Sequence, residues 1–176
     1  MLTKKTQLLS YMAMGIALNY VGSLLALFLR LPIYLDSIGT MLMGALLGPW
    51  VGAGVAFCSS LLSWLTADTF SIYYAPVGML IGILTGLVFQ HTHKYNNYIW
   101  WQAALISLPG TILASLITVL LFKGITSSAS SILVQTLYAL GFDLVSSTIL
   151  IQFLTDYLDR LLSLLACSLL LQRLKQ

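Results

Sequence analysis

The stretch RLPIYLDSIGTMLMGALLGPWVG, residues 30–52, decides how the chain folds. Arg30 and Pro32 close one apolar run, and a second, short run follows from residue 35 to residue 47. Gly48-Pro49 ends that run, because proline has no backbone donor and favours a turn. A third apolar run starts at once at Trp50. Apolar segments joined by one tight corner, and almost without charge, are the pattern of helices that cross a bilayer.

Composition extends this reading to the whole chain. Eight basic and five acidic residues among 176 make 7% of the chain charged, against roughly 25% in an ordinary soluble domain. With 59% hydrophobic residues and a mean hydropathy of +0.96, the surface cannot be covered with polar side chains. Disorder and nucleic-acid binding both need charge runs that the sequence lacks. Spans and loops consume the length, leaving no room for a separate catalytic domain. Cys58 and Cys167 lie inside apolar runs, so they read as packing residues and not as a disulfide or metal framework.

A helix needs about 20 mostly apolar residues to cross the hydrocarbon core. Cutting the chain at its punctuation predicts an all-α, polytopic bundle of six transmembrane helices. The spans are 7–29, 35–47, 50–66, a fourth from Ala75-Pro76 to near Gln90, 98–122 with a kink at Pro109-Gly110, and a sixth from near Ser131 to at least Phe153. Residues 67–74 form a polar and aromatic loop. Lys4-Lys5 before an apolar stretch imitates a signal peptide, but no small-residue cleavage site follows. The expected division is a six-helix domain at 1–159 and an apolar helical extension at 160–176, continuing the sixth helix along the inner interface or against a partner.

With the N-terminus inside, Lys4, Lys5, Lys94, Arg160, Arg173 and Lys175 are cytoplasmic, and Arg30 and Lys123 face outward. That distribution follows the positive-inside rule and predicts both termini in the cytoplasm. Trp100 and Trp101 then lie at the inner interface, and Tyr73 and Tyr74 at the outer one.

Small residues supply close-approach faces, a main source of helix association in lipid. Gly78, Gly82 and Gly86 form a ridge on the fourth span, and Gly44, Gly48 and Gly52 mark the reversal at Pro49. Ala13 and Ala17 make a narrower stripe on the first span, read either as internal packing or as a docking surface for another membrane subunit.

A charge at mid-membrane costs roughly 2.5 to 3.5 kcal/mol on insertion scales. Asp143, about twelve residues into the sixth span, is the clearest case: it is either a structural hydrogen-bonding group or the acceptor for a ligand. Asn19 has a comparable depth on the first span. Asp36 is expected to cap the second helix. Tyr34, Asp68, Tyr73, Tyr74, Gln135 and Tyr138 gather at the outer face, where aromatic walls with a few hydrogen-bonding groups suit a small-molecule pocket. The sequence contains no phosphate-binding Gly-rich loop, no His-Glu-x-x-His and no Gly-x-Ser-x-Gly elbow. His91 and His93 read as solvated loop residues.

Three blocks, Leu31-Pro32-Ile33-Tyr34-Leu35-Asp36-Ser37-Ile38-Gly39-Thr40, Gly44-Ala45-Leu46-Leu47-Gly48-Pro49 and Tyr73-Tyr74-Ala75-Pro76-Val77-Gly78, together with Ala13-x-x-x-Ala17, carry a resemblance. The chain resembles the substrate-binding S component of energy-coupling factor transporters, nearest to the branch that takes hydroxymethylpyrimidine, pyridoxine or pantothenate. The resemblance implies capture of a vitamin or precursor at the outer face and docking on a membrane T component through Ala13 and Ala17. It also implies toppling driven by two cytoplasmic ATPases. The chain itself would need no cofactor, since the partners hydrolyse ATP. Tyr34, Asp36, Tyr73, Tyr74, Gln135, Tyr138 and Asp143 are the implied pocket residues. Few outward cations against several acceptors favour a neutral or weakly basic ring over a polyanion; pantothenate requires Arg30 or Lys123 to pair its carboxylate. The rival readings are a ligand-free assembly subunit and a lipid-modifying membrane enzyme.

Overall fold

A computed structural model describes residues 4–91 and 99–174. Lys94, Lys175 and His93, to which the sequence reading gave cytoplasmic places, lie outside the described residues. The described residues hold seven helices and no strand: α1 (Lys4–Phe28), α2 (Ile38–Leu47), α3 (Pro49–Thr66), α4 (Ala75–His91), α5 (Ile99–Phe122), α6 (Ser130–Ala139) and α7 (Leu144–Leu174). One tight helical turn, Ser71–Tyr74, leads into α4. Three segments, Lys4–Phe28, Ser71–Gln90 and Ile99–Phe122, are long and apolar enough to cross a membrane; α2 is apolar but shorter.

The first five helices follow the sequence punctuation closely, and α2 passes into α3 through Gly48 alone, at φ +100°. The sixth expected span does not hold together. It breaks between Ala139 and Leu144 at Gly141, whose φ of +95° no helix accommodates. The short α6 precedes the break, and α7 continues through residue 160, where the apolar extension was expected to start, to Leu174. In that second half Leu161, Leu164 and Cys167 are buried, and the Cys167 thiol donates to the Ile38 carbonyl at 3.4 Å. The segment packs inside the chain's own bundle.

The helices α3 and α4 pack most extensively, followed by α5 and α7; α2 sits among α1, α3 and α4 and touches α7, and α6 packs on α7. An apolar core that includes Met41, Met43, Val55, Ile81, Ile106 and Leu164 adjoins a polar seam along α5 and α7. The buried face of α7 carries Gln152, Thr155, Asp156, Asp159, Arg160 and Ser163, while Phe153, Leu154, Leu158, Leu162, Leu165 and Leu169 are exposed. On α5, Gln102, Ser107, Thr111, Ser115 and Thr118 are buried against exposed Leu105, Ile112, Leu116 and Leu120. Polar groups turned inward and leucines turned outward suit lipid as the solvent.

Glycine sets the closest crossings. A methyl added to Gly39 would overlap the Gly15 backbone where α2 crosses α1, and one on Gly82 would overlap Gly52 and Ala53 where α4 meets α3. We expect Gly39→Ala to lower stability by about 1–3 kcal/mol through overpacking. Gly54→Ala would meet only the Met12 methyl at 3.4 Å and should gain up to about 1 kcal/mol of helix propensity. Thermal unfolding of both variants in detergent micelles measures the contrast.

Candidate functional site

Between the connections at one end of the bundle lies a cavity of two chambers that share walls at Tyr34, Asp36, Asp68 and Thr126. The deeper chamber, of about 80 Å³, reaches from α1 and α3 across to α7. At roughly 10–15 Å³ for each water-sized site it holds the equivalent of five to eight waters, which is the scale of one substituted ring. The outer chamber, of about 540 Å³, is bounded by Arg30, Ile33, Ser128 and Gln135.

The floor begins with Asn19, which is 1% exposed. Its Oδ1 accepts from the backbone N–H of Gly39 at 2.7 Å and of Thr40 at 3.2 Å, and its Nδ2 donates to Thr40 Oγ1 at 2.8 Å and Ser59 Oγ at 3.0 Å. These amides are the free donors at the start of α2, so the cap comes from another helix. The expectation that Asp36 caps α2 is corrected: α2 starts at Ile38, Ser37 stands at the cap position without a side-chain cap bond, and Asn19 fills the role.

The wall on α7 is built around a charged pair. Asp159, fully buried, accepts from Leu35 N–H at 2.7 Å, from Ser37 Oγ at 3.3 Å and from Arg160 Nη1 at 2.6 Å; Arg160 also donates to Ser37 Oγ. The connection from α1 to α2 is thereby tied to the middle of α7, about 22 Å along the helix from Leu144. Leu35 itself sits at φ +52°, and Gly22 lets its carbonyl approach α1. Asp156 accepts from Thr111 Oγ1 at 2.9 Å. Gln152 Nε2 donates to Thr118 Oγ1 at 2.6 Å, and the same hydroxyl lies 2.6 Å from Tyr74 OH. Asp68 closes the outer end: it accepts from Phe70 N–H at 3.1 Å and from Ser71 Oγ and Ser127 Oγ at 2.9 Å each, joining the 67–74 and 123–129 connections.

Of the residues singled out from the sequence, Tyr34, Asp36 and Tyr74 line the deeper chamber and Gln135 the outer one. Asp36 is exposed toward the cavity, and crowding by protein raises its carboxyl to about 6, against the pull of Arg160. Burial likewise raises the Tyr34 phenol. Tyr73 is half exposed, with its ring edge-on to Phe122 at 5.3 Å, outside both chambers. Tyr138 is exposed on α6, also outside. Asp143 is not inside a helix: it stands exposed before α7 and accepts from the N–H groups of Val145 at 3.0 Å and Ser146 at 3.3 Å, an ordinary N-cap.

Arg160, expected among the cytoplasmic cations, is buried in the bundle. Sequence reasoning missed Gln152, Asp156 and Arg160 because charges ended the hydropathy window. Their four-residue spacing inside a long leucine-rich run was the signal. Ala13 and Ala17 are exposed on α1, whereas Gly15 between them faces α2.

A helical bundle with leucine-covered flanks, long apolar helices and a polar cavity defines the class of membrane-embedded proteins. The chain matches the family described as ECF transporter, substrate-specific component, over residues 7–171. It belongs to that family and is a transporter subunit, not an enzyme. Members of the family work with a T component and ATPases. Comparison with curated proteins and with solved structures gives no match.

Proposed function

We propose that this subunit captures a small vitamin or vitamin precursor in the two-chambered cavity and delivers it while docked on a membrane T component with two cytoplasmic ATPases. The observation that carries the reading is the cavity itself, ring-sized at its floor and roofed by the connections at 29–37, 67–74 and 123–129. Six crossings, α1 to α5 and α7, with α6 as a short outer helix, suit the alternation of these connections. Lys4 and Lys5 at one end, against Arg30 and Lys123 at the other, support cytoplasmic termini in the cell membrane.

Tyr34, Asp36, Tyr74 and Gln135 form the binding wall. Tyr73, Tyr138 and Asp143 lie outside both chambers and are left out of the wall. A hydroxymethylpyrimidine or pyridoxine-like ring fits the aromatic and acceptor-rich lining; pantothenate needs Arg30, which borders the outer chamber, to pair its carboxylate. ATP is consumed by the partners, and this chain carries no cofactor. Rotation of the whole body in lipid is favoured by the leucine-covered flanks, since each exposed charge would cost a few kcal/mol.

Titration of the solitary purified chain with hydroxymethylpyrimidine, pyridoxine and pantothenate tests the pocket. Tyr74→Ala should weaken the bound member at least about tenfold, by loss of ring packing and of the Thr118 hydrogen bond, whereas Asp143→Asn should bind as the parent does. Equal binding by Tyr74→Ala would misplace the pocket. Asp68→Ala, which unties two outer connections, should speed ligand release about tenfold, the loss of one or two charge-assisted hydrogen bonds; stopped-flow exchange reads it. For docking, Ala13→Trp should block assembly with the T component and leave ligand binding intact.

A further inference from the structure

The α7 wall has an electrostatic imbalance that the bundle alone does not resolve. Gln152, Asp156 and Arg160 recur every four residues, so they stack on one face of the helix, and all three line the deeper chamber at 3%, 5% and 6% exposure. Arg160 is engaged through Nη1, which bonds Asp159 and Ser37. Asp159 is committed in turn to Leu35 and Ser37. Asp156 has only the Thr111 hydroxyl, on one of its two oxygens, and no cation within 4 Å among the described residues. One turn toward the outer end, the Gln152 amide is held at its nitrogen by Thr118, while its oxygen is buried without any partner. A buried acceptor without a donor and, beside it, a buried carboxylate without a cation in direct contact are two separate deficits on one cavity wall. A ligand that brings a positive charge and at least two N–H or O–H donors removes both.

We propose that Asp156 and Gln152 are specificity-determining residues that select a protonated, ring-sized nitrogen base, its charged nitrogen on the free oxygen of Asp156 and a second donor on Gln152 Oε1. The assignment rests on the reading of this chain as a substrate-capturing subunit and narrows the substrate to a cation. Arg160, through Nη1, serves as the clamp for Asp159 and the 29–37 connection. Anionic substrates are disfavoured, because Asp36, Asp68 and Asp156 line the chamber against Arg160 alone, itself paired with Asp159.

Isothermal titration of the purified full chain in detergent micelles decides the matter, with hydroxymethylpyrimidine and pyridoxamine as basic probes and pantothenate as the anionic probe. At least one basic probe should bind more tightly than pantothenate. Asp156→Asn should weaken it by roughly 10- to 100-fold, the loss expected for a charge-assisted hydrogen bond, and Asp156→Glu should keep the preference for base over anion. Gln152→Lys, which supplies Asp156 with an internal cation four residues away, should abolish basic binding even if Asp156→Asn fails to fold. The proposal is overturned if either Asp156→Asn or Gln152→Lys, folded by thermal melt, binds the basic probe as the parent does. It is also overturned if pantothenate binds best; both results leave the capture reading standing. Failure of every probe to bind the parent overturns the capture reading as well.

Discussion

Asp159→Ala is expected to destabilise the bundle by about 3–5 kcal/mol, the cost of leaving a buried cation without its partner. The carboxylate answers three donors at once, the Leu35 amide, the Ser37 hydroxyl and the Arg160 guanidinium. Ser37 and Arg160 are buried at 3% and 6% exposure, so little solvent is at hand to replace the carboxylate. The effect should reach beyond stability. With Asp159 gone, the 29–37 connection loses its tie to α7, and Tyr34 and Asp36, which that connection carries into the cavity, lose their positions. Asp159→Leu combined with Arg160→Met should recover much of the melting temperature, because replacing a buried ion pair with apolar groups of similar size is often neutral or favourable. It should not recover binding, since Leu35 and Ser37 still lack their anchor. Thermal melts and ligand titrations on the single and double variants separate the two effects. A single variant with an unchanged melt would show the pair to be solvated.

Asn19→Leu should cost about 2–4 kcal/mol, since four hydrogen bonds are lost and the amides of Gly39 and Thr40 are orphaned in a buried site. Isosteric size does not help, because leucine can neither accept from the start of α2 nor donate to Ser59. Asn19→Asp is the sharper comparison. It keeps the acceptor for the two amides and so should retain the cap, but it loses the donation to Thr40 and Ser59 and places an uncompensated charge on the cavity floor. Its melting temperature should fall between those of the parent and Asn19→Leu. Circular dichroism melts in micelles measure all three.

Much of this architecture could be read from residues 30–52. Arg30 and Pro32, Gly48 and Pro49 are local signals, and the end of α1, the end of α2 and the start of α3 fall where they point. The glycines at 44, 52, 82 and 86 were legible as close-approach positions because small residues at intervals of four have few other uses in an apolar helix. The last third was harder for a physical reason. Hydropathy treats Asp156, Asp159 and Arg160 as the end of a span, whereas pairing and hydrogen bonding inside the bundle let a helix carry them through its middle, with the leucines turned outward. Asp143 misled in the opposite direction: apolar neighbours on both sides hid the break at Gly141 that turns it into an exposed cap. The role of Asn19 required knowing which helix start lies beside it, and a contact between residues 19 and 39 is invisible to any local pattern. The same holds for the cavity: Tyr34, Asp36, Tyr74 and Gln135 were found by residue type, while their partners on α7 became visible only when the chain was folded.

Native mass spectrometry of the chain extracted gently from its membrane tests the central claim most directly. The account predicts one small organic molecule held by each copy, lost on Tyr74→Ala, together with a fraction of copies bound to a membrane partner and two ATPases. A chain that emerges empty, and that stays empty after incubation with basic and anionic vitamins alike, would contradict it.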